Sequence, residues 1–242
     1  MRACLKRAGK RFEGLIALVC AGLAWAGPAR AEDATELWPQ LTGYLQLNER
    51  SRAVFDASYA LGKESDVKSA DIAAYLDVSL KPIARMRQDL LQLDWQRNKY
   101  LWARIGYDRI FEATDAAGIE VAENRGIVAF YGRIPLPSAV WLETRTRADF
   151  RWIGDDYSNR YRFRLDLSRE FDVRGHAVVP YGNFEWFYDT RYDGWARTLA
   201  TLGAEVTLSS RFRCELFLAR QADRLPEDKN LDALGLALKW YF

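Results

Sequence analysis

The sequence predicts an all-β protein, an antiparallel transmembrane β-barrel of ten to twelve strands, with twelve favoured, joined by short periplasmic turns and longer extracellular loops. Three observations predict this fold: a carboxyl-terminal segment that alternates between two faces, earlier segments with the same alternation, and an amino-terminal segment typical of exported proteins. Alternation with a period of two is the geometry of a β-strand. Strands that cross hydrocarbon must close into a barrel, because each backbone amide needs a partner within the protein.

The carboxyl-terminal segment, 231–242, alternates strictly. One face carries small and polar side chains, and the other carries the apolar residues Leu234, Leu236, Leu238, Trp240 and Phe242. The apolar face suits lipid. A terminal Phe on such a strand resembles the signal that the outer-membrane insertion machinery reads. We therefore expect a membrane-insertion signal that faces outer-membrane lipids, made by Leu236, Leu238, Trp240 and Phe242.

Residues 1–31 have the parts of a secretory signal peptide: basic residues near the start, an apolar stretch over 15–26, and the cleavage motif Ala29-Arg30-Ala31. We expect cleavage after Ala31, which leaves 32–242 as a single barrel domain. Loss of six basic residues and one acidic residue changes the net charge from +2 to −3, so general nucleic-acid binding loses its electrostatic support. Cys214 is the one cysteine expected to remain, and an intramolecular disulfide is therefore not expected.

The intervening segments have about the 9 to 11 residues that a tilted membrane strand needs. They cover 52–61, 70–80, 99–111, 125–134, 139–152, 159–171, 176–189, 195–208 and 211–221. With the last segment they make ten strands, and 41–48 and 81–98 raise the number to twelve. Short connections, predicted to be periplasmic, lie at 135–138, 172–175 and 209–210. Longer connections, predicted to be extracellular, lie at 62–69, 112–123, 154–158 and 222–230.

Aromatic residues near the strand ends are predicted to form girdles at the two membrane interfaces. They are Trp95, Tyr100, Trp102, Trp141, Trp152, Trp186, Trp195 and Trp240. A soluble β-sandwich is the alternative fold. It fits less well because the apolar stripe from Tyr161 to Leu167 is backed by arginines, which leaves no dry face for a second sheet.

Turning the apolar rows toward lipid places a dense set of charges in the lumen. The predicted lumen residues are Glu143, Arg145, Arg147, Asp149, Arg151, Arg160, Arg162, Arg164, Asp166, Glu185, Arg197, Glu205, Arg211, Arg213 and Glu215, together with Arg104, Asp108 and Arg125. Two interpretations remain open. Arginines and acids can neutralise one another in a network that fills a narrow barrel, or the arginines can attract an anionic solute or bind a phosphate or carboxylate. The interleaved acids favour the network.

Catalytic residues are not predicted. The single histidine, His176, is followed two residues later by Val178, where outer-membrane phospholipases and lipid A deacylases place a serine. One histidine and one mature cysteine cannot form a transition-metal site. We therefore expect a non-enzymatic protein that needs neither metal nor cofactor.

Four patterns carry a resemblance to a known family. They are Glu123-Asn-Arg125, the alternating arginines of 143–147 and 160–164, the run Pro180-Tyr-Gly-Asn-Phe-Glu-Trp-Phe-Tyr188, and the segment 208–215 with Ser209, Ser210 and Glu215. In these patterns residues 100–242 resemble DUF2490, a family of uncharacterised outer-membrane β-barrels. The resemblance implies a barrel in the outer membrane of a Gram-negative bacterium, and it assigns neither an activity nor catalytic residues.

Three function hypotheses follow from this sequence. The first is a narrow channel or transport component for small anionic solutes. The second is a structural or assembly barrel with a plugged lumen. The third, which the missing histidine–serine arrangement disfavours, is an enzyme that modifies outer-membrane lipids or glycans. The sequence leaves the oligomeric state open.

Overall fold

Segments in which apolar and polar residues alternate form long strands, and turns join neighbouring strands into β-hairpins. The computed structural model describes residues 34–62, 68–82, 99–112, 121–224 and 230–242. Within them the strands are β1 (Ala34–Asn48), β2 (Ser51–Gly62), β3 (Lys68–Pro82), β4 (Lys99–Glu112), β5 (Val121–Leu136), β6 (Val140–Ile153), β7 (Asp156–Arg169), β8 (Phe171–Val173), β9 (His176–Asp189), β10 (Gly194–Thr207), β11 (Phe212–Asp223) and β12 (Leu231–Tyr241). The predicted signal peptide, Trp95 and most of segment 81–98 lie outside the described residues.

Eleven of these strands close into a barrel, which confirms the predicted fold. Neighbours along the chain pair antiparallel, β9 joins β10, and β12 joins β1. The β1–β12 seam is parallel, running from Ala34↔Leu231 to Tyr44↔Tyr241. An odd number of up-and-down strands requires one parallel seam, because the first and last strands then run in the same direction. The eleven strands fall within the predicted range of ten to twelve, and the barrel has one strand fewer than the favoured twelve.

The short strand β8 extends β7 beyond the barrel wall. Ser168 of β7 faces Tyr181, and Phe171 of β8 faces Val178, so both strands keep one register against β9. The ladder is interrupted at Pro180, which lacks a backbone N–H to donate. Arg174 and Gly175 close this hairpin with φ angles of 56° and 82°. Two consecutive left-handed residues fit the strand twist in a two-residue hairpin turn.

The two ends of the barrel carry different connections. The end that carries Phe242, here called the turn end, has the short connections after β1, β5, β8 and β10. It includes all three connections predicted to be short. The opposite loop end carries the connections after β2, β4, β6, β9 and β11, and Ala34. Gly154-Asp155, part of a connection predicted to be long, is a tight turn.

Outward rows of the barrel are apolar and exposed, as the alternation predicted. Phe55, Ile72, Ile105, Phe130 and Leu216 are each more than half exposed. Inward rows hold the buried residues, both charged and aromatic. Among the described residues, the helices include none that is long and apolar enough to cross a membrane.

The girdle prediction is wrong for three of the aromatic residues. Trp102 is fully buried and stacks on Tyr131, with ring centroids 4.8 Å apart. Its neighbour Leu101 is the exposed residue, so Tyr100 and Trp102 fall on the inward row of β4. Trp141 likewise shares the inward row of β6 and lies under the guanidinium of Arg133. The other predicted girdle residues that the structure describes lie on outward rows, and they are Trp152, Trp186, Trp195 and Trp240.

Candidate functional site: the charged barrel interior

Strands β6 and β7 supply the centre of the interior charge. Their register places Arg145 opposite Arg164, Arg147 opposite Arg162, and Asp149 opposite Arg160. Like charges directly opposite one another on a sheet are destabilising unless another group neutralises them. The neutralising carboxylates come from neighbouring strands, and they divide the interior into four groups.

The first group lies nearest the loop end. Arg151 bridges two acids: it donates to both carboxylate oxygens of Glu123, and its Nη1 lies 2.5 Å from Asp189 Oδ2. Arg125 Nε lies 2.5 Å from Glu123 Oε1, and Arg160 Nη2 lies 2.9 Å from Asp189 Oδ2. Asp189 is 0% exposed. Each acid is therefore shared by two arginines, and Arg151 joins them.

The second group lies at mid-barrel around Glu185. Arg145 Nη2 and Arg162 Nε lie 2.5 Å and 2.7 Å from Glu185 Oε1. Arg147 donates to Asp149, and it also lies 3.7 Å from Asp108. Arg162 reaches Asp149 at 3.8 Å and Arg125 reaches Asp108 at 3.6 Å. Of the four opposed arginines, Arg145, Arg147 and Arg162 are therefore bound to intervening carboxylates.

The third group surrounds Asp77 on β3. Arg104 Nε lies 2.6 Å from Asp77 Oδ1 and Arg52 Nη2 lies 2.9 Å from Oδ2. Both guanidinium groups also cover aromatic rings: Arg52 lies 4.4 Å from the ring centroid of Tyr44, and Arg104 lies 4.7 Å from that of Tyr75. Cation–π contacts strengthen when they are desolvated, and water does not reach Asp77, which is 0% exposed.

The fourth group joins the last strands. Lys239 Nζ lies 2.7 Å from Glu205 and 2.5 Å from Glu215, and Arg213 lies 2.9 Å from Glu205. Tyr181 donates its hydroxyl to Glu215. Elsewhere on the last strands, Arg197 forms a two-pronged contact with Asp223 and is 31% exposed.

Seventeen of the eighteen predicted lumen residues lie on inward rows, and one does not. Arg211 is exposed in the turn before β11, so the prediction that it faces the lumen is wrong. The short turn ends only at Phe212, where the alternation of β11 begins. Glu143, Arg164 and Asp166 are half-buried on the inward rows, with Glu143 opposite both Arg133 and Asp166.

Several interior charges were missed by the sequence analysis. Arg52, Asp77 and Asp189 lie on the same inward rows as the predicted residues. Lys239 lies on the small and polar face of the carboxyl-terminal segment, which does face the interior. The alternation could have found them. Arg52 precedes the outward Ala53, and Asp77 lies between Leu76 and Val78. Glu123, identified only as part of the family pattern, also belongs to the interior.

His176 lies away from these groups. Its ring Nδ1 is 3.1 Å from the backbone carbonyl oxygen of Thr207, and the side chain is exposed at the turn end. Within the described part of the chain, His, Cys, Asp and Glu side chains do not form a group of three or more that could hold a metal ion. The arrangement of the interior supports ion pairing, and it contains the partners of most of its own charges.

The predicted insertion-signal residues share the outward row of β12. Leu236, Leu238, Trp240 and Phe242 are between 40% and 63% exposed. Trp240 stacks on Phe242 with ring centroids 4.9 Å apart, and Phe212 packs on Trp240 at 4.8 Å. The backbone N–H of Phe242 donates to the carbonyl of Tyr44, which extends the β1–β12 seam to the last residue.

Comparisons with known proteins identify the family of this chain. Comparison with curated proteins finds no match. Among solved structures the chain resembles the β-domain of the Bordetella autotransporter BrkA, with 13% identity and a TM-score of 0.47 over 76% of this chain and 78% of that one. The model of a family of proteins of unknown function, DUF2490, matches residues 35–232 and so extends the predicted resemblance back to β1. The chain belongs to the DUF2490 family.

Proposed function

We propose that the chain is an integral outer-membrane β-barrel whose ion-paired interior seals it, so that it acts as a structural or assembly barrel. The observation that carries this proposal is the burial of the acids. Asp77, Asp149 and Asp189 are each 0% exposed and each contacts two arginines. An ion path needs charged groups that water can reach.

The membrane location is supported by the outer surface. Apolar side chains cover the outward rows, and aromatic residues collect near both ends. Tyr107, Tyr157 and Tyr188 donate their hydroxyls to Asn124, Asn159 and Asp193 near the loop end. Aromatic side chains with a polar tip suit a membrane–water interface. The short turns support placing the turn end in the periplasm, in the manner of bacterial outer-membrane barrels.

Membrane lipids and, during biogenesis, the outer-membrane insertion machinery are the partners that this function requires. The predicted signal peptide at 1–31 would deliver the chain to the periplasm. An anion channel is the alternative hypothesis, because the same arginines would attract the solute in a channel and pair with the acids in a sealed barrel. A lipid-modifying enzyme has the weakest support, since the described contact of His176 is to a backbone carbonyl.

Single-channel conductance under a salt gradient tests the proposal. The chain is purified from membranes and inserted into a planar bilayer, and insertion is checked by heat-modifiable mobility on gels. The sealed barrel gives a silent bilayer with a heat-modifiable band, and Arg145→Ala combined with Arg162→Ala lowers heat resistance without opening a current. Stepwise anion-selective currents that this double variant alters would establish the channel instead. Hydrolysis of a phospholipid or lipid A that His176→Ala abolishes would establish the enzyme.

A further inference from the structure

One arginine lies on an otherwise apolar outward row. Leu101, Ile105, Tyr107 and Phe111 of β4 are exposed on the outer surface, and Arg109 is exposed between the last two. Its guanidinium lies 5.0 Å from the centroid of the Phe111 ring. Across the described residues no carboxylate lies within ion-pair distance of Arg109. An arginine on the lipid-facing surface near a strand end places its charged head at the membrane interface, among water and lipid headgroups.

The neighbouring strand adds a second hydrogen-bond donor beside Arg109. Asn124 is its direct cross-strand partner on β5, and such partners have Cβ atoms about 5 Å apart. Asn124 accepts the hydroxyl hydrogen of Tyr107 on Oδ1. The acceptor side of the amide is thereby occupied, and its NH2 group is left to donate. The guanidinium and the amide together present donors suited to an anion.

A glycine interrupts the apolar outer surface next to these donors. Gly126, two residues further along β5, lies between Tyr107 and Phe150 in the register. A Cβ placed on Gly126 would approach no atom closer than Trp152 Cζ3 at 3.7 Å. Gly126 therefore adds no side chain between the aromatic residues Tyr107 and Phe150, and a hydrocarbon chain can lie over its backbone.

We propose that Arg109 and Asn124 bind the headgroup phosphate of a membrane lipid at the loop end, with an acyl chain of the same lipid lying over Gly126. The site rests on the proposed membrane location. Arginine suits a phosphate because its planar fork donates two parallel hydrogen bonds and stays charged. The Phe111 ring orients the guanidinium, and the Tyr107 hydroxyl orients the amide.

Lipid binding by the full chain in dodecyl maltoside micelles tests this site, with phosphatidylglycerol as the probe. Native mass spectrometry measures the bound lipid. The wild type is expected to retain phosphatidylglycerol in preference to diacylglycerol, which has the same chains without the phosphate. Arg109→Gln is expected to weaken phosphatidylglycerol binding by about tenfold, which is the usual size of losing one charge-assisted contact. Asn124→Asp keeps the acceptor for Tyr107 and replaces the donors by a negative charge, so it is expected to weaken binding at least as much.

Arg50→Gln is the matched control, because Arg50 is an exposed arginine in the β1–β2 turn at the opposite end. It should leave binding unchanged. Equal retention of phosphatidylglycerol by the wild type, Arg109→Gln and Asn124→Asp would overturn the site, as would equal retention of diacylglycerol. Inorganic phosphate that displaces the lipid from wild type at millimolar concentration would show that the donors recognise free phosphate and would also overturn the lipid assignment.

Failure of the site is distinguishable from failure of the proposed function. A chain that shows a heat-modifiable band in membranes but no preference for phosphatidylglycerol is a membrane barrel without this site. A chain that never shows a heat-modifiable band in any lipid would overturn the membrane location itself. Should Arg109→Gln fail to fold, Asn124→Asp still tests the site, because it preserves the size and the Tyr107 hydrogen bond.

Discussion

Arg151 on β6 and Asp189 on β9 lie 2.5 Å apart although β7 runs between their strands. Arg145 and Glu185 make the same connection across β7 at 2.5 Å. Backbone hydrogen bonds in a sheet join adjacent strands only. These ion pairs therefore connect β6 and β9, which are not hydrogen-bonded to each other. The interior charges therefore stabilise the curvature of this part of the barrel wall.

Glu185→Gln should strongly destabilise the barrel. The substitution keeps the shape of the side chain and removes the charge that Arg145 and Arg162 share. Leaving buried guanidinium groups without their carboxylate costs about 3–5 kcal/mol of unfolding free energy. Urea unfolding in phosphatidylcholine vesicles, followed by tryptophan fluorescence, measures the loss. Asp155→Asn, in the exposed turn after β6, is the control and should lose less than about 0.5 kcal/mol.

Double-mutant cycles should separate buried from exposed ion pairs. The Arg104–Asp77 pair, whose acid is fully buried, should show a coupling energy above about 1.5 kcal/mol. The Arg197–Asp223 pair has its arginine 31% exposed, and it should couple by less than about 1 kcal/mol. Alanine substitutions, measured singly and together by the same urea titration, give both values. Equal coupling in the two cycles would mean that water reaches Asp77.

Trp102→Ala should be far more damaging than Trp152→Ala. Trp102 is enclosed and stacked on Tyr131, so its removal leaves a cavity and costs about 3–5 kcal/mol. Trp152 is 45% exposed on the outward row, and lipid can fill the space it leaves. The midpoint of the heat-modifiable gel shift compares the two variants. Similar midpoints would contradict the assignment of Trp102 to the interior.

Gly235→Ala should destabilise β12 because a Cβ there would overlap the ring of Phe217. Overpacking of this kind costs about 1–3 kcal/mol. In a Phe217→Ala background the same substitution should have little further effect, since the obstructing ring is gone. Urea titration of the two single variants and the double variant tests this, and additive losses would show that the two residues do not touch.

The outward-facing residues could be predicted from the sequence because every strand turns its apolar row to the same side of the barrel wall. Leu234 to Phe242 and Phe55 fall where the alternation places them, since a shift of one residue would turn a whole strand inside out. Inward positions follow from the same alternation, as Arg145 and Glu185 show. Trp102 lies inside the barrel because its place in the alternation, and not its proximity to a strand end, decides which way its side chain points.

The pairing of the interior charges could not be predicted. Arg151 and Asp189 are 38 residues apart and lie on strands that do not adjoin. Their contact depends on the curvature of the barrel wall and on the stagger of three strands. The alternation within one strand gives information about neither. The prediction for Arg211 is wrong for a local reason. The length of the turn before β11 decides at which residue the alternation starts.

The parallel seam between β1 and β12 gives the chain an uncommon property. In an up-and-down barrel with an even number of strands, the first strand begins and the last strand ends at the same mouth of the barrel. Here the count is odd, and Ala34 and Phe242 lie at opposite mouths. In the proposed membrane barrel, reporter epitopes attached at these two residues would face different compartments, and a protease supplied to one compartment would remove one epitope and spare the other.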